Sequence, residues 1–445
     1  MMLRVIYRLY RWSSGLRYWA VRRFTPVGLG LLVAITVTML MGFNIEESVS
    51  YQAFMLLLGL LAVAIAFSWF FHMQFTIERC LPRFGTVGVA LRYFVAVRNL
   101  GKQTQSGLAL LENLADARPS FAEWKDVQLD DQKHIRPFSF VKRRANPFKL
   151  AITKAATAPP LPSKQEVTVS AELTPLRRGV LRFDGVTLAR PDPLGLFRSF
   201  VRTPAPQSVL ILPKRYYLPP IAMPGSMKYQ QGGVALASNI GQSDEFVSLR
   251  EYRRGDPMRH IHWRSWAKTG KPIVKEFEDE FFVRHALVLD TFTDRPHTEQ
   301  FEEAVSVASS FACTILTQES LLDLLFVGAQ AYCFTAGRGL AHADQMLEIL
   351  ASVRPSSDKP FASLETLVLN HSSTVNGVIC VLLAWDEARQ QLVAKLKSLG
   401  LPLLVFVIRD AGEKNPLDHG PMRDDPEHLH SLEIGRIEEQ LARLV

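Results

Sequence analysis

The chain has 445 residues, 48% apolar and 21% charged, enough to fill the cores of two or three domains, which excludes a disordered or low-complexity protein. Its four cysteines (Cys80, Cys313, Cys333, Cys380) are scattered without a CxxC pair, which excludes a disulfide framework. The net charge of +8 suggests nucleic-acid binding, yet Arg4, Arg8, Arg11, Arg17, Arg22 and Arg23 precede the first acidic residue, Glu46, and supply six of those eight charges.

Residues 1–25 therefore read as a basic cytoplasmic arm, in which Tyr, Trp and Leu alternate with arginine as in a helix lying on an anionic leaflet. Two uncharged runs follow, Pro26 to Phe43 and Ser48 to Phe71, each near the ~20 residues that cross a ~30 Å hydrocarbon core. Only a short turn carrying Glu46 and Glu47 separates them, so residues 26–72 are expected to form a transmembrane helical hairpin. Arginines flank both outer ends and none lies in the turn. The positive-inside rule then places both termini in the cytoplasm, with two spans in a bacterial inner membrane and the lipid bilayer as first partner.

Residues 73–224 carry short β-rich runs at 87–97, 106–112, 166–172, 179–184, 186–190 and 208–212, punctuated by Gly and Pro. That spacing predicts an antiparallel β-sandwich-like domain, with 115–165 irregular. Asp192-Pro-Leu-Gly-Leu-Phe-Arg198 reads as a structural corner with its apolar side chains folded back. Residues 225–240, rich in Gly, Ser and Gln, form a linker.

Residues 241–280 concentrate charge and aromatics: Asp244, Glu245, Arg250, Glu251, Arg253, Arg254, Asp256 and Arg259, with Phe246, Tyr252, Trp263 and Trp266 among them. An unpaired buried charge costs several kcal/mol, so this density is expected to form a paired ion network held between packed domains. His260 and His262 fit a metal or acid–base pair, or membership of that network with Glu251 and Asp256; the second reading is the one adopted.

Residues 281–445 alternate buried strands (286–290, 378–384, 401–408) with helical runs (300–317, 341–353, 386–399, 437–444) and a hairpin over 321–335, predicting a mostly parallel sheet with an α/β fold. Asp290 and Asp386 fall at or just past strand ends, where such sheets bind ligands.

Several segments resemble the bacterial domain of unknown function 58 family: Arg177-Arg-Gly-Val180, Asp192 to Arg198, Asp244-Glu-Phe246, Leu249-Arg-Glu-Tyr252, Gly255-Asp256, Arg259 and Trp263. The resemblance implies two membrane helices, a β-rich segment and a von Willebrand factor type A-like domain. It also implies partners of the MoxR class of AAA+ ATPases and transglutaminase-like membrane proteins. Type A domains bind a divalent metal through an Asp-x-Ser-x-Ser loop. Here the matching loop is Asp290-Thr-Phe-Thr-Asp294, in which Phe292 cannot ligate and Asp294 can, with Asp386 as the distant carboxylate. The alternative for Asp290 is a structural strand-end turn.

No GxSxG, HExxH, P-loop or dinucleotide-binding turn occurs, so no catalytic residue is assigned and no cofactor is expected beyond Mg2+ on that degenerate loop. The expected function is a membrane-anchored cytoplasmic scaffold that presents its α/β domain to a protein partner, an AAA+ ATPase, in envelope complex assembly or remodelling, with no role for nucleic acid. The alternative is a metal-dependent hydrolase-like enzyme using Asp290, Asp294, His260 and His262.

Overall fold

The computed structural model describes residues 2–41, 48–116, 118–134, 148–219, 246–256, 258–277, 284–293, 298–316, 321–336, 340–410 and 417–444. The linker 225–240, Glu245 and Asp294 lie outside them. The chain divides into two compact units. One comprises residues 1–217, 291–310 and 344–359; the other comprises 218–290, 311–343 and 360–445.

The first unit opens with helix α1 (Met2–Arg23), followed by α2 (Pro26–Met41) and α3 (Ser48–Trp69), which lie side by side. Within α3, Val49–Trp69 has a mean hydropathy of 2.1 and is long and apolar enough to cross a membrane; α2 is apolar and shorter. Thr25 caps α2: its hydroxyl accepts from Gly28 N at 3.0 Å, and Pro26 takes the first helical position, where a missing N–H costs nothing.

Next come β1 (Phe75–Cys80), β2 (Phe84–Thr86), β3 (Leu91–Asn99), β4 (Ala109–Leu114), helix α4 (Phe121–His134), β5 (Ala151–Thr153), β6 (Ala156–Thr157), β7 (Glu166–Pro175), β8 (Gly179–Pro191) and β9 (Arg198–Leu212). They form two sheets, ordered β1-β3-β7-β5 and β2-β9-β8-β4-β6. All pairings are antiparallel except β2 with β9. Strict alternation along β3 buries Leu91, Tyr93, Val95 and Val97, which join Phe183, Leu188 and Ile211 in one core. The runs 179–184 and 186–190, expected as separate strands, form the single strand β8. A bulge between Phe183 and Gly185 bends the ladder without ending it. Gly185 is required there, because a Cβ would lie 2.3 Å from Thr203 O.

This core holds a buried ion pair that sequence reasoning did not single out. Arg79 donates to Glu112 through Nε (3.2 Å) and Nη2 (2.7 Å), both side chains excluded from solvent. Its Nη1 reaches Ala205 O and Gln207 Oε1, and the guanidinium lies 4.5 Å from the Phe183 ring centroid.

The Asp192 corner is more than a turn. Its carboxylate accepts from Leu194 N, Leu196 N and Phe197 N at 2.6–2.9 Å, fixing a loop whose Gly195 has φ +67°. That loop grips the start of α2: Thr25 N donates to Leu196 O at 3.1 Å, and the Phe24 and Phe197 rings meet edge-on at 5.1 Å. Gly28 faces Leu196 so closely that a Cβ would fall 2.0 Å from its carbonyl oxygen. Arg178, from the Arg177-Arg-Gly motif, ends helix α7 (Leu340–Ser352) by donating to Leu350 O and Val353 O, and pairs with Glu302 at 2.8 Å.

The second unit contains β10 (Phe246–Glu251), helix α5 (Trp263–Thr269) and β11 (Ile273–Phe277), then a six-stranded sheet. The sheet strands are β12 (Arg284–Leu289), β13 (Leu321–Val327), β14 (Ala331–Ala336), β15 (Gly377–Leu382), β16 (Leu403–Arg409) and β17 (Leu429–Glu433), in the order β14-β13-β12-β15-β16-β17. Only β14 runs antiparallel. Helix α8 (Ala362–His371) packs on β13 and β14, α9 (Glu387–Ser398) on β16, and α10 (Ile437–Leu441) on β17. Helix α6 spans Glu299–Leu316, and its Phe311 ring meets Phe406 at 4.9 Å, tilted by 40°.

Candidate functional site

The strand order reverses direction at β12: β13 continues to one side and β15 to the other, so the carboxyl ends of β12 and β15 flank a topological switch point. Asp290 is the first residue after β12. It is fully buried, and its Oδ2 accepts from Leu383 N, just past β15, at 3.0 Å. Asp386 is the N-cap of α9, its Oδ1 accepting from Arg389 N at 3.1 Å.

Between these carboxylates lies Arg389, one turn into α9. Its Nε donates to Asp290 Oδ2 at 2.6 Å, its Nη1 donates to Asp386 Oδ2 at 2.5 Å, and its guanidinium lies 4.9 Å from the Phe361 ring centroid. The Arg389 side chain is 9% exposed, against 0% for Asp290 and 52% for Asp386. Burial alone would lower the guanidinium pKa. The charge and hydrogen bond of Asp290, then those of Asp386, outweigh that effect and raise it.

The sequence thus located two of the residues that meet here and missed the cation between them. Arg389 stands 99 residues from Asp290, and no motif joins them; the one local signal was Asp386 three residues ahead, an N-cap and ion pair in one. Chemically, this is a buried pair closed by a fixed guanidinium. Among the described residues no three His, Cys, Asp or Glu side chains gather as a metal site. Phe292, at the loop position where a serine would ligate, forms a parallel bridge with Ser356.

The charged stretch forms its own two-stranded sheet. β10 and β11 pair antiparallel with Glu251 opposite Ile273, and Ile261 bridges antiparallel to Val274, both side chains buried. Gly270, with φ +67°, closes α5 by donating to Trp266 O. Arg250 holds Asp256 through two bonds of 2.7 and 2.8 Å, and Arg253 N adds a third at 2.8 Å. The Arg250 bonds, then the Arg253 amide, pull the Asp256 carboxyl down to about 2. Glu251 pairs with Lys271 at 3.1 Å in full solvent.

The expectation of a buried network therefore needs correction. Arg250 is 34% exposed and Arg259 is exposed, while Tyr252 joins through its backbone, donating to Pro272 O. Short polar segments around a two-stranded sheet supply too little apolar cover to bury these ions. His262 sits with Nδ1 2.7 Å from Ser265 Oγ, a local contact at the start of α5, and His260 closes the 3-10 turn Met258–His260.

What remains on this sheet is a surface. With Asp256 and Glu251 each matched, Arg253, Arg254, Arg259, Arg264 and Lys268 stay exposed. Trp263 is 65% exposed and stacks on Trp266 at 5.3 Å, and Met258 is 76% exposed.

The model of the family described as "Protein of unknown function DUF58" matches residues 248–443. Uncharacterized protein YeaD of Bacillus subtilis (strain 168) is 26% identical over 201 residues, covering 45% of this chain and 49% of that protein. The chain thus spans about half the length of the curated relative it matches. Among solved structures, the CARDB domain of a Pyrococcus furiosus protein aligns at 15% identity over 31% of this chain and 93% of its own, with a TM-score of 0.16. A cohesin module from a Clostridium perfringens family 33 glycoside hydrolase aligns at 12% identity over 32% and 98%, also at 0.16. At these scores neither likeness bears on fold or function.

Proposed function

We propose, on the premise that residues 248–443 make this chain a member of the DUF58 family, that it is a membrane-anchored cytoplasmic adaptor docking a protein partner through the β10–β11 hairpin. The observation that carries this reading is the exposed Trp263, stacked on the half-buried Trp266 and set among exposed Met258, Arg254, Arg259 and Arg264. Trp, Met and Arg are the residues enriched in protein interfaces, and a stacked indole presents a large rigid surface at low entropic cost. The partner class is an AAA+ ATPase of the MoxR type, with envelope complex assembly or remodelling as the process.

The strand order with a single antiparallel strand, β14, supports a von Willebrand factor type A-like reading of the sheet. Anchoring is supported by the solvent-facing apolar side chains of α2 and α3, among them Val27, Leu40, Leu56 and Trp69, whose exposure water would oppose and lipid would relieve. With α2 and α3 side by side, a two-span hairpin with both termini in the cytoplasm is the arrangement that the flanking arginines favour.

The test is affinity purification of the full chain from its native membranes, comparing the parent with Trp263→Ala. An AAA+ ATPase that co-purifies with the parent and is lost from the variant supports the reading. Equal recovery overturns the assignment to the hairpin. A metal-dependent enzyme would instead show stoichiometric Mg2+ or Zn2+ in the same preparation, removed by Asp290→Ala.

A further inference from the structure

Helix α1 carries an apolar stripe that the described residues leave largely exposed, its Trp19 ring alone meeting Phe24 edge-on at 5.9 Å. Met2, Val5, Leu9, Trp12, Leu16 and Trp19 recur at alternating spacings of three and four, so they share one face, and each is 48–77% exposed. The other side of the helix is occupied. Tyr7 Oη donates to Pro119 O at 2.8 Å, its ring meets Phe121 and Trp124 at 5.4 and 5.6 Å, and Tyr10 meets Trp124 at 6.0 Å. Trp124 is buried by these contacts, so α1 is held against α4 by one face and offers the other.

The edges of the stripe are basic. Arg4, Arg8, Arg11 and Arg17 are exposed; no Asp or Glu occurs before Glu46 in the sequence, and Asp116 lies near enough to Arg11 to feel its charge. A two-residue break, Phe24-Thr25, joins α1 to the apolar helix α2, and the Asp192 corner clamps that break through Thr25 and Phe24.

We propose that α1 is an interfacial helix that binds the surface of an anionic bilayer, inserting Met2, Val5, Leu9, Trp12, Leu16 and Trp19 among the acyl chains while its arginines meet lipid phosphates. The sequence pattern suggested a helix on a leaflet; the structure assigns the inserted face and shows that its opposite face carries α4. The β-rich unit is thereby fixed to the membrane at a second place, beside α2 and α3. An arginine-flanked stripe running directly into an apolar helix fits a lipid surface better than a protein groove, because the start of α2 already sets the depth. This proposal rests on the membrane-anchored reading above.

The test uses the full chain reconstituted into vesicles of phosphatidylcholine alone or of phosphatidylcholine with phosphatidylglycerol at 7:3. Tryptic cleavage after Arg11 and Arg17 is followed by mass spectrometry. In the anionic vesicles cleavage should be at least about tenfold slower than in the neutral ones, since each surface arginine adds roughly a severalfold preference for anionic lipid. Salt at about 1 M, where the Debye length is about 3 Å, should remove that difference.

The double variant Leu9→Glu/Trp12→Glu, on the face away from α4, should be cut rapidly in both lipids. Equal rates for parent and variant in anionic vesicles, or equal rates for the parent in both lipids, overturn the proposal. Protection that follows protein density and ignores lipid charge points to a second copy on the stripe and also overturns it. Extraction with alkaline carbonate separates the two readings. A chain that washes off refutes membrane anchoring itself, whereas one that stays while α1 is cut freely refutes only the interfacial helix.

Discussion

Replacing Arg389 with alanine is the perturbation that most directly probes the switch point. The guanidinium bonds two carboxylates that differ sharply in environment: Asp290 is fully buried, Asp386 about half exposed. Removing the arginine leaves Asp290 charged and inside the protein, with Leu383 N still donating to it. Breaking a buried pair from one side costs about 3–5 kcal/mol, so Arg389→Ala should lose that much. Asp386→Asn removes only the half-exposed bond, at no more than about 1 kcal/mol, and asparagine still serves as N-cap. The double change Asp290→Asn/Arg389→Ala should be less destabilised than the sum of its single changes, because no charge is left stranded. Urea unfolding of the full chain in detergent micelles, followed by tryptophan fluorescence, measures all four. If Arg389→Ala costs no more than Asp386→Asn, the switch point is wet and the reasoning fails.

Two further outcomes are expected. In the β-rich core, Glu112→Ala strands Arg79 and should cost about 3–5 kcal/mol, whereas Glu112→Leu with Arg79→Met should come near neutral or better; urea midpoints for both decide it, and equal losses would contradict a desolvated pair. The lowered pKa of Asp256 makes its contribution full above its unfolded value of about 3.9, and lost as pH falls through about 2. The difference in unfolding midpoint between the parent and Asp256→Asn should therefore hold above about pH 4 and close toward pH 2, and a difference still unchanged at pH 2 would rule out the bidentate hold by Arg250.

Features written in local spacing were the legible ones. The uncharged runs became α2 and α3, the alternation in 87–97 became β3, and the strand–helix alternation after 281 became a mostly parallel sheet. Helix α4 was legible but missed: Ser120 and Glu123 form a capping box, Ser120 N donating to Glu123 Oε2 at 2.8 Å and Glu123 N to Ser120 Oγ at 3.3 Å, inside a stretch read as irregular. The edge strand β17 went unread because its sequence, Leu429 to Glu433, is short and half polar, and only pairing with β16 makes it a strand. Ion pairing was misplaced for a different reason. Charge density marks where ions are many, whereas burial depends on the surrounding apolar volume. Buried pairs formed at Arg79 with Glu112 and at Arg389 with Asp290, isolated charges in apolar surroundings, and the crowded stretch stayed at the surface.

A guanidinium and a metal ion close a carboxylate site with different consequences. A bound divalent cation has coordination positions to spare, so a partner's carboxylate can complete its shell at the switch point. Arg389 offers no such opening: Nε and Nη1 are spent on Asp290 and Asp386, and its side chain is almost out of solvent. The pair neutralises the strand ends and fixes α9 through its N-cap, which is a structural task. On the adaptor reading proposed above, recognition is then assigned elsewhere in this unit. The β10–β11 hairpin supplies what the switch point lacks, namely the exposed Trp263 indole and exposed cations beside Asp256 and Glu251, which are each already paired. Restoring an open site by Arg389→Ala and restoring a bland surface by Trp263→Ala should therefore act independently. The first should lower stability without affecting partner recovery from the fraction that remains folded, and the second should abolish recovery without changing the unfolding midpoint.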